Sequence, residues 1–310
     1  MKICTVNKEK QYKHGVKFGG TSLATAMLYQ FVANQVSADK SIHWVIVSAP
    51  GRRDNEDPKI TDLLMNDKFK EVEARFIQIV DDLKINIDIP AEFKKILSDI
   101  DNGAGQDYIA SRGEYLSSKI MALLLGWHWV DAADVICLNS IGEIDKAQTS
   151  VATREAFGDE RCVIGGFYGA MPCGSIKTLG RGGSDTTGTL VCIVMQADLY
   201  INSTDVDGVY NKDPNSGDKD CIRYDSMTSK QFLTLRTSVV HPIAVEVAAN
   251  YGLKIKVQST ENPDGGSTMI VPSNGKISYL SKFFIYVGSV IEWVGQYFEM
   301  TIERVNFIKR

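Results

Sequence analysis

Two glycine-rich segments carry residue types that suit phosphate and carboxylate chemistry. Lys17 to Ser22 (Lys-Phe-Gly-Gly-Thr-Ser) sets a lysine beside two glycines, and Leu179 to Thr187 (Leu-Gly-Arg-Gly-Gly-Ser-Asp-Thr-Thr) combines an arginine with an aspartate. Each pattern is typical of a turn that opens a helix, where backbone N–H groups can face an anion. Together the segments predict a kinase that phosphorylates a small amino acid.

The first segment suits a phosphate in transfer. Phosphoryl transfer needs several negative charges held close together, and catalysis is mostly positioning plus electrostatics. Lys17 supplies a compact cation, while Gly19 and Gly20 let the backbone approach the phosphates. The segment is not a GxxxxGK[ST] loop, because the lysine precedes the glycines. The alternative is a plain strand-to-helix turn with an exposed lysine, and this segment alone does not decide between them.

The second segment suits a zwitterion. The guanidinium fork of Arg181 matches a carboxylate, and Asp185 either caps the next helix or faces an ammonium. A plain helix cap and glycine turn would account for Ser184, Asp185 and Thr186. It would leave Arg181 among three glycines without a role, so a substrate site is the better explanation.

A third, acidic loop runs from Thr204 to Tyr210 (Thr-Asp-Val-Asp-Gly-Val-Tyr), with Asp213-Pro214 after it. It is either a turn with side-chain caps or part of a nucleotide site. In the second case Asp205 and Asp207 would be available to ribose, a base amine or metal-bound water.

Alternating strand and helix patterns must position these loops. The predicted strands are Val16–Phe18, Trp44–Ala49, Val135–Leu138, Arg161–Ile164, Leu199–Ile201 and, as the last strand of the core, Lys254–Val257. The predicted helices include one capped by Thr21 or Ser22 and running to Val36, one from Lys68 to about Ile100 with Phe69, Val72, Phe76, Ile79 and Val80 on one face, one through Arg112–Leu125, and one over Thr186–Gln196. This alternation predicts an open, mostly parallel sheet covered on both faces, an α/β fold.

Net charge and the cysteine pattern limit which classes of partner and which cellular compartment we expect. A net charge of −4 offers no global attraction for nucleic acid or an anionic membrane. Six scattered cysteines without a CxxC pair indicate free thiols in a reducing compartment, and the first residues show no signal-peptide core. We therefore expect a cytoplasmic protein that binds neither nucleic acid nor membrane.

Near the end, a strand at Phe283–Val287 and an amphipathic helix over Val290–Val305 are expected, and the helix is either a homodimer contact or packs on its own domain.

The three motifs, in this order, resemble those of the aspartokinases, in the amino-acid kinase family, and the resemblance covers residues 13–272. It implies an α/β/α sandwich that uses ATP and Mg²⁺ to convert L-aspartate to 4-phospho-L-aspartate, a step towards lysine, threonine and methionine. It further implies a catalytic domain over 1–272, with an amino-acid half to about 200 and a nucleotide half over 201–272. The remaining 273–310 would be a short strand–helix extension, a truncated or replaced regulatory region.

The resemblance also implies site residues. Lys17 and Asp185 would be catalytic, with Lys17 as the transition-state cation and Asp185 or Glu114 orienting it or serving the substrate ammonium. The substrate-binding residues would be Thr61, Glu114, Arg181 and Ser184, with Arg181 on the α-carboxylate. The nucleotide-binding residues would be Lys17, Phe18, Gly19, Gly20, Gly182, Gly183, Thr204, Asp205, Tyr210, Asn215, Ser238 and Val239. No protein metal ligand is implied, because Mg²⁺ would be held mainly through the phosphates.

The motifs contain no histidine, which fits a carboxylate substrate. An aspartate side chain, with a pKa of about 3.9, is already ionised at neutral pH and needs no general base. His241, before Pro242, is expected to pack near the pocket.

The chain departs from the family pattern at Arg236, at Asn215 and after Pro272, where only 38 residues remain for the usual paired ACT domains. Feedback regulation by lysine or threonine is therefore not expected to carry over. Two alternatives stay open: a kinase for another acidic amino acid, and a catalytically weakened nucleotide-binding partner subunit.

Overall fold

Strands and helices alternate along residues 12–212, 220–235 and 237–273, the part of the chain that the computed structural model describes. The strands are β1 (His14–Phe18), β2 (Ile42–Val47), β3 (His128–Val130), β4 (Cys162–Gly165), β5 (Tyr168–Ala170), β6 (Ile176–Thr178), β7 (Leu199–Thr204), β8 (Val209–Tyr210), β9 (Arg223–Tyr224), β10 (Ser226–Thr228), β11 (Ile255–Ser259) and β12 (Ser267–Val271). The helices are α1 (Ala26–Ala38), α2 (Ile60–Met65), α3 (Phe69–Leu83), α4 (Ile89–Asp101), α5 (Gln106–Leu125), α6 (Ala132–Val135), α7 (Lys146–Phe157), α8 (Gly183–Val194), α9 (Ser229–Leu235) and α10 (Pro242–Asn250).

Eight strands form the main sheet in the order β10-β12-β11-β7-β1-β2-β4-β3. All neighbouring pairs are parallel except β11 and β12. Helices α5 and α8 both pack on β2, and each belongs to a separate group of helices, so the sheet is covered on two sides. The predicted open, mostly parallel α/β fold is confirmed, and residues 12–272 lie within one compact unit.

The core forms where the apolar periodicity placed it. Every residue of β2 is buried, as a central parallel strand requires. Helix α3 buries Val72, Phe76, Ile79 and Val80 on one face, as predicted. The predicted long helical stretch is divided into α3 and α4, because Lys84 ends α3 in the left-handed conformation (φ 55°) and Asp88 caps α4.

The start of α1 differs from the prediction. Residues Gly20–Leu23 form a 3₁₀ turn, and the cap is Thr25, whose Oγ1 accepts a hydrogen bond from the N–H of Leu28. Ser22, one of the two predicted caps, hydrogen bonds instead to Oγ1 of Thr260, at 2.7 Å. Its hydroxyl is used between distant segments, which a local capping rule does not foresee.

Three other boundaries are corrected. The predicted strand Val135–Leu138 is wrong, because Asp131 caps the short helix α6, and Cys137 and Leu138 then form only isolated bridges. Helix α8 begins at Gly183 rather than Thr186, since Gly182 adopts the left-handed conformation (φ 74°) just before it. The strand near Lys254–Val257 is not the last of the core, because β12 adds an antiparallel strand beyond it.

Several predictions lie outside the described residues. They concern Cys4 and the N-terminal segment, Asp213 to Asn215, Arg236, and the strand and helix expected within 274–310. Within the described ranges, no helix is both long and apolar enough to cross a bilayer. The five described cysteines are free, as predicted.

The core of α3 gives a stability prediction. Phe76 is 0% exposed, so Phe76→Ala should lower the free energy of unfolding by about 3–5 kcal/mol, measured by chemical denaturation. Met27 on α1 is 76% exposed, and Met27→Ala should change it by less than about 0.5 kcal/mol. Equal losses in the two variants would contradict this description of the core.

Candidate active site

The Lys17 ammonium forms an ion pair with Asp185 at the centre of the sheet. Lys17 lies near the carboxyl end of β1, Asp185 lies in the first turn of α8, and Nζ is 2.9 Å from Oδ1. The two side chains are only 12% and 9% exposed. Partial burial strengthens this attraction compared with a surface pair. The structure therefore joins the two glycine-rich segments through their charged residues.

Two further contacts hold the Asp185 carboxylate. Nδ2 of Asn202, on the neighbouring strand β7, donates to Oδ1 at 3.1 Å. The backbone N–H of His241 donates to Oδ2 at 2.9 Å. Asp185 does not cap α8, because Gly182 is the residue before the helix. Its carboxylate instead pairs with the Lys17 ammonium, which is the contact that the predicted orienting role requires.

The glycines allow a very close approach of two loops. The N–H of Gly51 donates to the carbonyl of Gly20 at 2.7 Å, and a Cβ at Gly20 would lie 2.7 Å from the carbonyl oxygen of Ala49. A Cβ at Gly182 would lie 2.2 Å from the ring of His241. Neither position has room for a side chain, so the glycines set the shape of the loop beside Lys17 and of the α8 N-terminus. No side chain caps α8, and the N–H of Gly183 donates to the carbonyl of Gly180 at 3.1 Å, so the N–H groups that follow it in the first turn are the ones that could face an anion.

The predicted substrate residues lie on different elements of the fold. Arg181 is exposed just before α8 and has no ion pair among the described residues. Ser184 accepts a hydrogen bond from Oγ of Ser48 at 3.1 Å. Thr61 is partly buried on α2, which packs on α5. Ser48 was missed from sequence, because a serine ending an apolar strand carries no signal of its own.

Glu114 is fully enclosed in α5. Burial raises the pKa of its carboxyl from 4.5 to about 7, although a hydrogen bond from the backbone of Ala49 acts against this shift. Its Oε2 atom has no hydrogen-bond partner among the described residues. Within those residues Lys17 pairs with Asp185 and not with Glu114, so of the two acids proposed to orient Lys17, Asp185 is the one in contact.

The acidic loop after β7 divides its carboxylates between two roles. Asp207 accepts hydrogen bonds from Oη of Tyr210 at 2.5 Å and from Nη1 of Arg223 at 2.7 Å, and these contacts lower its pKa. Asp207 therefore holds the loop together, and a nucleotide role for it stays a prediction. Asp205 is exposed beside Thr204, whose hydroxyl donates to it at 3.1 Å.

The other predicted nucleotide residues lie along the same edge or in the segment before α10. Phe18 is buried at the end of β1, and Gly183 opens α8. Ser238 is exposed and Val239 partly buried in the segment that leads to His241. His241 lies against Gly182. Asn215 falls outside the described residues.

A separate cleft of about 650 Å³ lies between α4, the start of α5 and the β5–β6 turn. It contains Arg112, whose guanidinium lies 4.2 Å from the ring centre of Tyr108 and 4.5 Å from that of Tyr115. The lining of this cleft includes neither Lys17 nor Arg181. Within the described ranges, no group of three or more His, Cys, Asp or Glu side chains is arranged to hold a metal ion.

Residues 16–259 match the model of the amino acid kinase family. The chain belongs to this family. The match covers the β1 loop, α8 and the sheet up to β11, which are the elements that hold the Lys17–Asp185 pair.

Relatives of this amino acid kinase carry a common name. Aspartokinase 3 of Bacillus subtilis (strain 168) is 28% identical over 83% of the chain, and Aspartokinase 2 of the same strain is 27% identical over 81%. The chain spans 63% and 57% of the length of these two proteins. The crystal structure of Clostridium acetobutylicum aspartate kinase superposes with a TM-score of 0.80 at 34% identity, covering 86% of this chain and 64% of that one. E. coli aspartokinase III, at 23% identity and a TM-score of 0.74, shares the fold over 85% of this chain and 65% of its own.

The raised pKa of Glu114 predicts a pH dependence of stability. Below pH 4.5 the carboxyl is protonated in both folded and unfolded chains, and as the pH rises towards 7 only the folded chain keeps the proton. Stability from this residue is therefore present at low pH and lost as the pH rises through about 7. The unfolding free energy of the wild type minus that of Glu114→Gln should fall by on the order of 3 kcal/mol across this window.

The exposed Glu155 on α7 provides the control. Denaturation of the wild type, Glu114→Gln and Glu155→Gln at a series of pH values measures the effect. A flat difference for Glu114→Gln would show that its carboxyl titrates normally.

Proposed function

We propose that this chain transfers the terminal phosphoryl group of ATP to the side-chain carboxylate of L-aspartate, forming 4-phospho-L-aspartate. The Lys17–Asp185 ion pair at 2.9 Å is the observation that carries the proposal, because it sets a partly buried ammonium between a glycine turn and an uncapped helix N-terminus. The aspartokinase names of its relatives support aspartate as the acceptor.

Each residue near the pair has a role in this proposal. Lys17 offers its remaining N–H groups to the phosphate that moves, and the charge on its ammonium offsets the negative charge that builds up in the transition state. Asp185 keeps that ammonium in place. The exposed guanidinium of Arg181 binds the α-carboxylate of the substrate, and Ser184 and Thr61 complete the substrate contacts. The acceptor carboxylate is already ionised, so no residue needs to remove a proton.

The residues present fit a nucleoside triphosphate. ATP supplies the activated phosphoryl group when it is bound. The side-chain-free backbone at Gly19 and Gly20, the Lys17 ammonium and the first turn of α8 would hold its phosphates. Mg²⁺ is part of the proposal as an ion bound mainly through those phosphates. Thr204, Asp205 and Tyr210, with Ser238 and Val239, would line the rest of the nucleotide site.

The remaining expectations belong to the proposal as well. We assign the nucleotide half to residues 201–272 and the amino-acid half to the preceding part of the catalytic domain. Free cysteines favour a reducing, cytoplasmic setting, and the lysine, threonine and methionine pathways would use the product. A homodimer remains a prediction.

The direct test is an activity assay with purified protein, ATP, Mg²⁺ and L-aspartate. Hydroxylamine should trap an acyl phosphate, and a panel with L-glutamate and aspartate analogues should give far less product. Product from another acidic amino acid alone would move the substrate assignment. Nucleotide binding without turnover of any substrate would favour a partner subunit.

Lys17→Met should lower kcat by about 10²–10³-fold with little change in the KM for aspartate, because its contact with the phosphate strengthens in the transition state. Lys13→Met is the matched control, since Lys13 lies just before the amino end of β1 and pairs at 3.8 Å with the exposed Asp159. Steady-state kinetics of both variants measure the split. A wild-type kcat in Lys17→Met would exclude Lys17 from the reaction.

Arg181→Gln should mainly raise the KM for aspartate, by about 10-fold or more, because a charge-assisted bond to the substrate carboxylate is lost. Arg161→Gln serves as control, because this arginine lies at the amino end of β4, away from the carboxyl ends of the strands, and donates to the carbonyl of Lys40. An unchanged KM in Arg181→Gln would place the substrate carboxylate elsewhere.

A further inference from the structure

A buried arginine lies behind the candidate phosphate loop. Arg75 on α3 has a side chain only 4% exposed, and its Nη1 atom is 2.9 Å from Oδ2 of Asp57, which is itself 7% exposed. Arg53, whose side chain is 44% exposed, holds the other carboxylate oxygen of Asp57 at 2.7 Å. These contacts keep the pKa of Asp57 low, at about 2, with the Arg53 hydrogen bond as the largest cause.

The same guanidinium binds two carbonyl groups of the loop between β2 and α2. Nη2 of Arg75 donates to the carbonyl of Gly51, and Nη1 donates to the carbonyl of Pro58 at 3.0 Å. One side chain therefore fixes both ends of a loop that is otherwise mostly exposed between Arg52 and Lys59. We call Arg75 and Asp57 the loop clamp.

The loop clamp reaches the candidate site through the backbone. Gly51, whose carbonyl Arg75 binds, donates its own N–H to the carbonyl of Gly20 at 2.7 Å. A Cβ at Gly51 would lie 2.5 Å from the carbonyl carbon of Gly20, so the two loops are in direct contact. At the other end, Pro58 lies two residues before α2, the helix that carries Thr61.

We propose that Arg75 is a positioning residue for phosphate binding: its guanidinium holds Gly51, and Gly51 holds the backbone at Gly19–Gly20 in the shape that accepts the nucleotide phosphates. The inference rests on the proposed function in assigning that backbone to the phosphates. Arg75 itself touches no substrate. Its planar fork reaches Asp57 and two carbonyls together, which the single ammonium of a lysine cannot do in the same geometry.

The test compares ADP with adenosine, because only ADP uses the phosphate loop. Isothermal titration calorimetry would give both dissociation constants, with Mg²⁺ present, for the wild type, Arg75→Lys and Arg53→Lys. Arg75→Lys should weaken ADP binding by about 10- to 100-fold and adenosine binding by less than about twofold, because the loss of one backbone hydrogen bond to a charged phosphate changes a dissociation constant by about this factor. Arg53→Lys shares the same carboxylate at an exposed position and should leave both constants nearly unchanged.

The outcomes separate the inference from the proposed function. Equal ADP affinity in the wild type and Arg75→Lys, or an equal loss of ADP and adenosine binding, would overturn the positioning role. If ADP binding responds as expected but the wild type does not phosphorylate aspartate, the positioning role of Arg75 stands and the aspartate assignment is refuted. A wild type that binds no ADP would refute both.

Asp57→Asn provides a second variant if Arg75→Lys does not fold. This substitution keeps the shape of the side chain but removes the charge that holds Arg75. It should therefore also weaken ADP binding more than adenosine binding, by a smaller factor than Arg75→Lys does. Circular dichroism confirms that each variant is folded. ADP affinity equal to the wild type in a folded Asp57→Asn would count against the role of the loop clamp.

Discussion

The candidate site depends on one ion pair, which joins a central strand of the sheet to the helix packed on it. Lys17 comes from β1, its partner Asp185 comes from α8, and Asn202 of the adjacent strand β7 supports the carboxylate. A partly buried ammonium needs such a partner, because removing a charge from water is unfavourable unless it is paired. Parallel strands β1 and β7 end at the same edge, so this pairing also fixes where both glycine-rich segments meet.

The second constraint is the direct backbone contact between two loops, and it explains why each loop has a glycine at the contact. Gly20 and Gly51 approach so closely that either Cβ would meet the other loop at less than 3 Å. Such contact needs an accurately placed loop, yet most residues from Arg52 to Lys59 are exposed and contribute little packing. A buried guanidinium with several fixed acceptors supplies the missing rigidity, because its hydrogen bonds are directional where apolar packing is not.

The sequence predicts which helices and strands form better than it predicts where they begin and end. Apolar periodicity identified β2, α3 and α5, and glycine next to charge identified the two loops at Lys17 and Arg181. Predictions failed where distant contacts decide. Ser22 hydrogen bonds to Thr260, and the cap of the helix is Thr25. Arg75 could not be recognised at all, since one arginine on an amphipathic helix is usually solvent-exposed.

The two acids of the candidate site illustrate how surroundings assign roles to identical chemistry. Asp185 has the Lys17 ammonium at 2.9 Å and accepts hydrogen bonds from two N–H donors, the side chain of Asn202 and the backbone of His241. Glu114 has no ion-pair partner among the described residues, and burial raises its pKa to about 7. In the proposed kinase, which would bind several negative charges, this division is favourable because a protonated Glu114 adds no repulsion. One carboxylate therefore holds the cation while the other stays largely protonated below about pH 7, and the sequence alone does not show which is which.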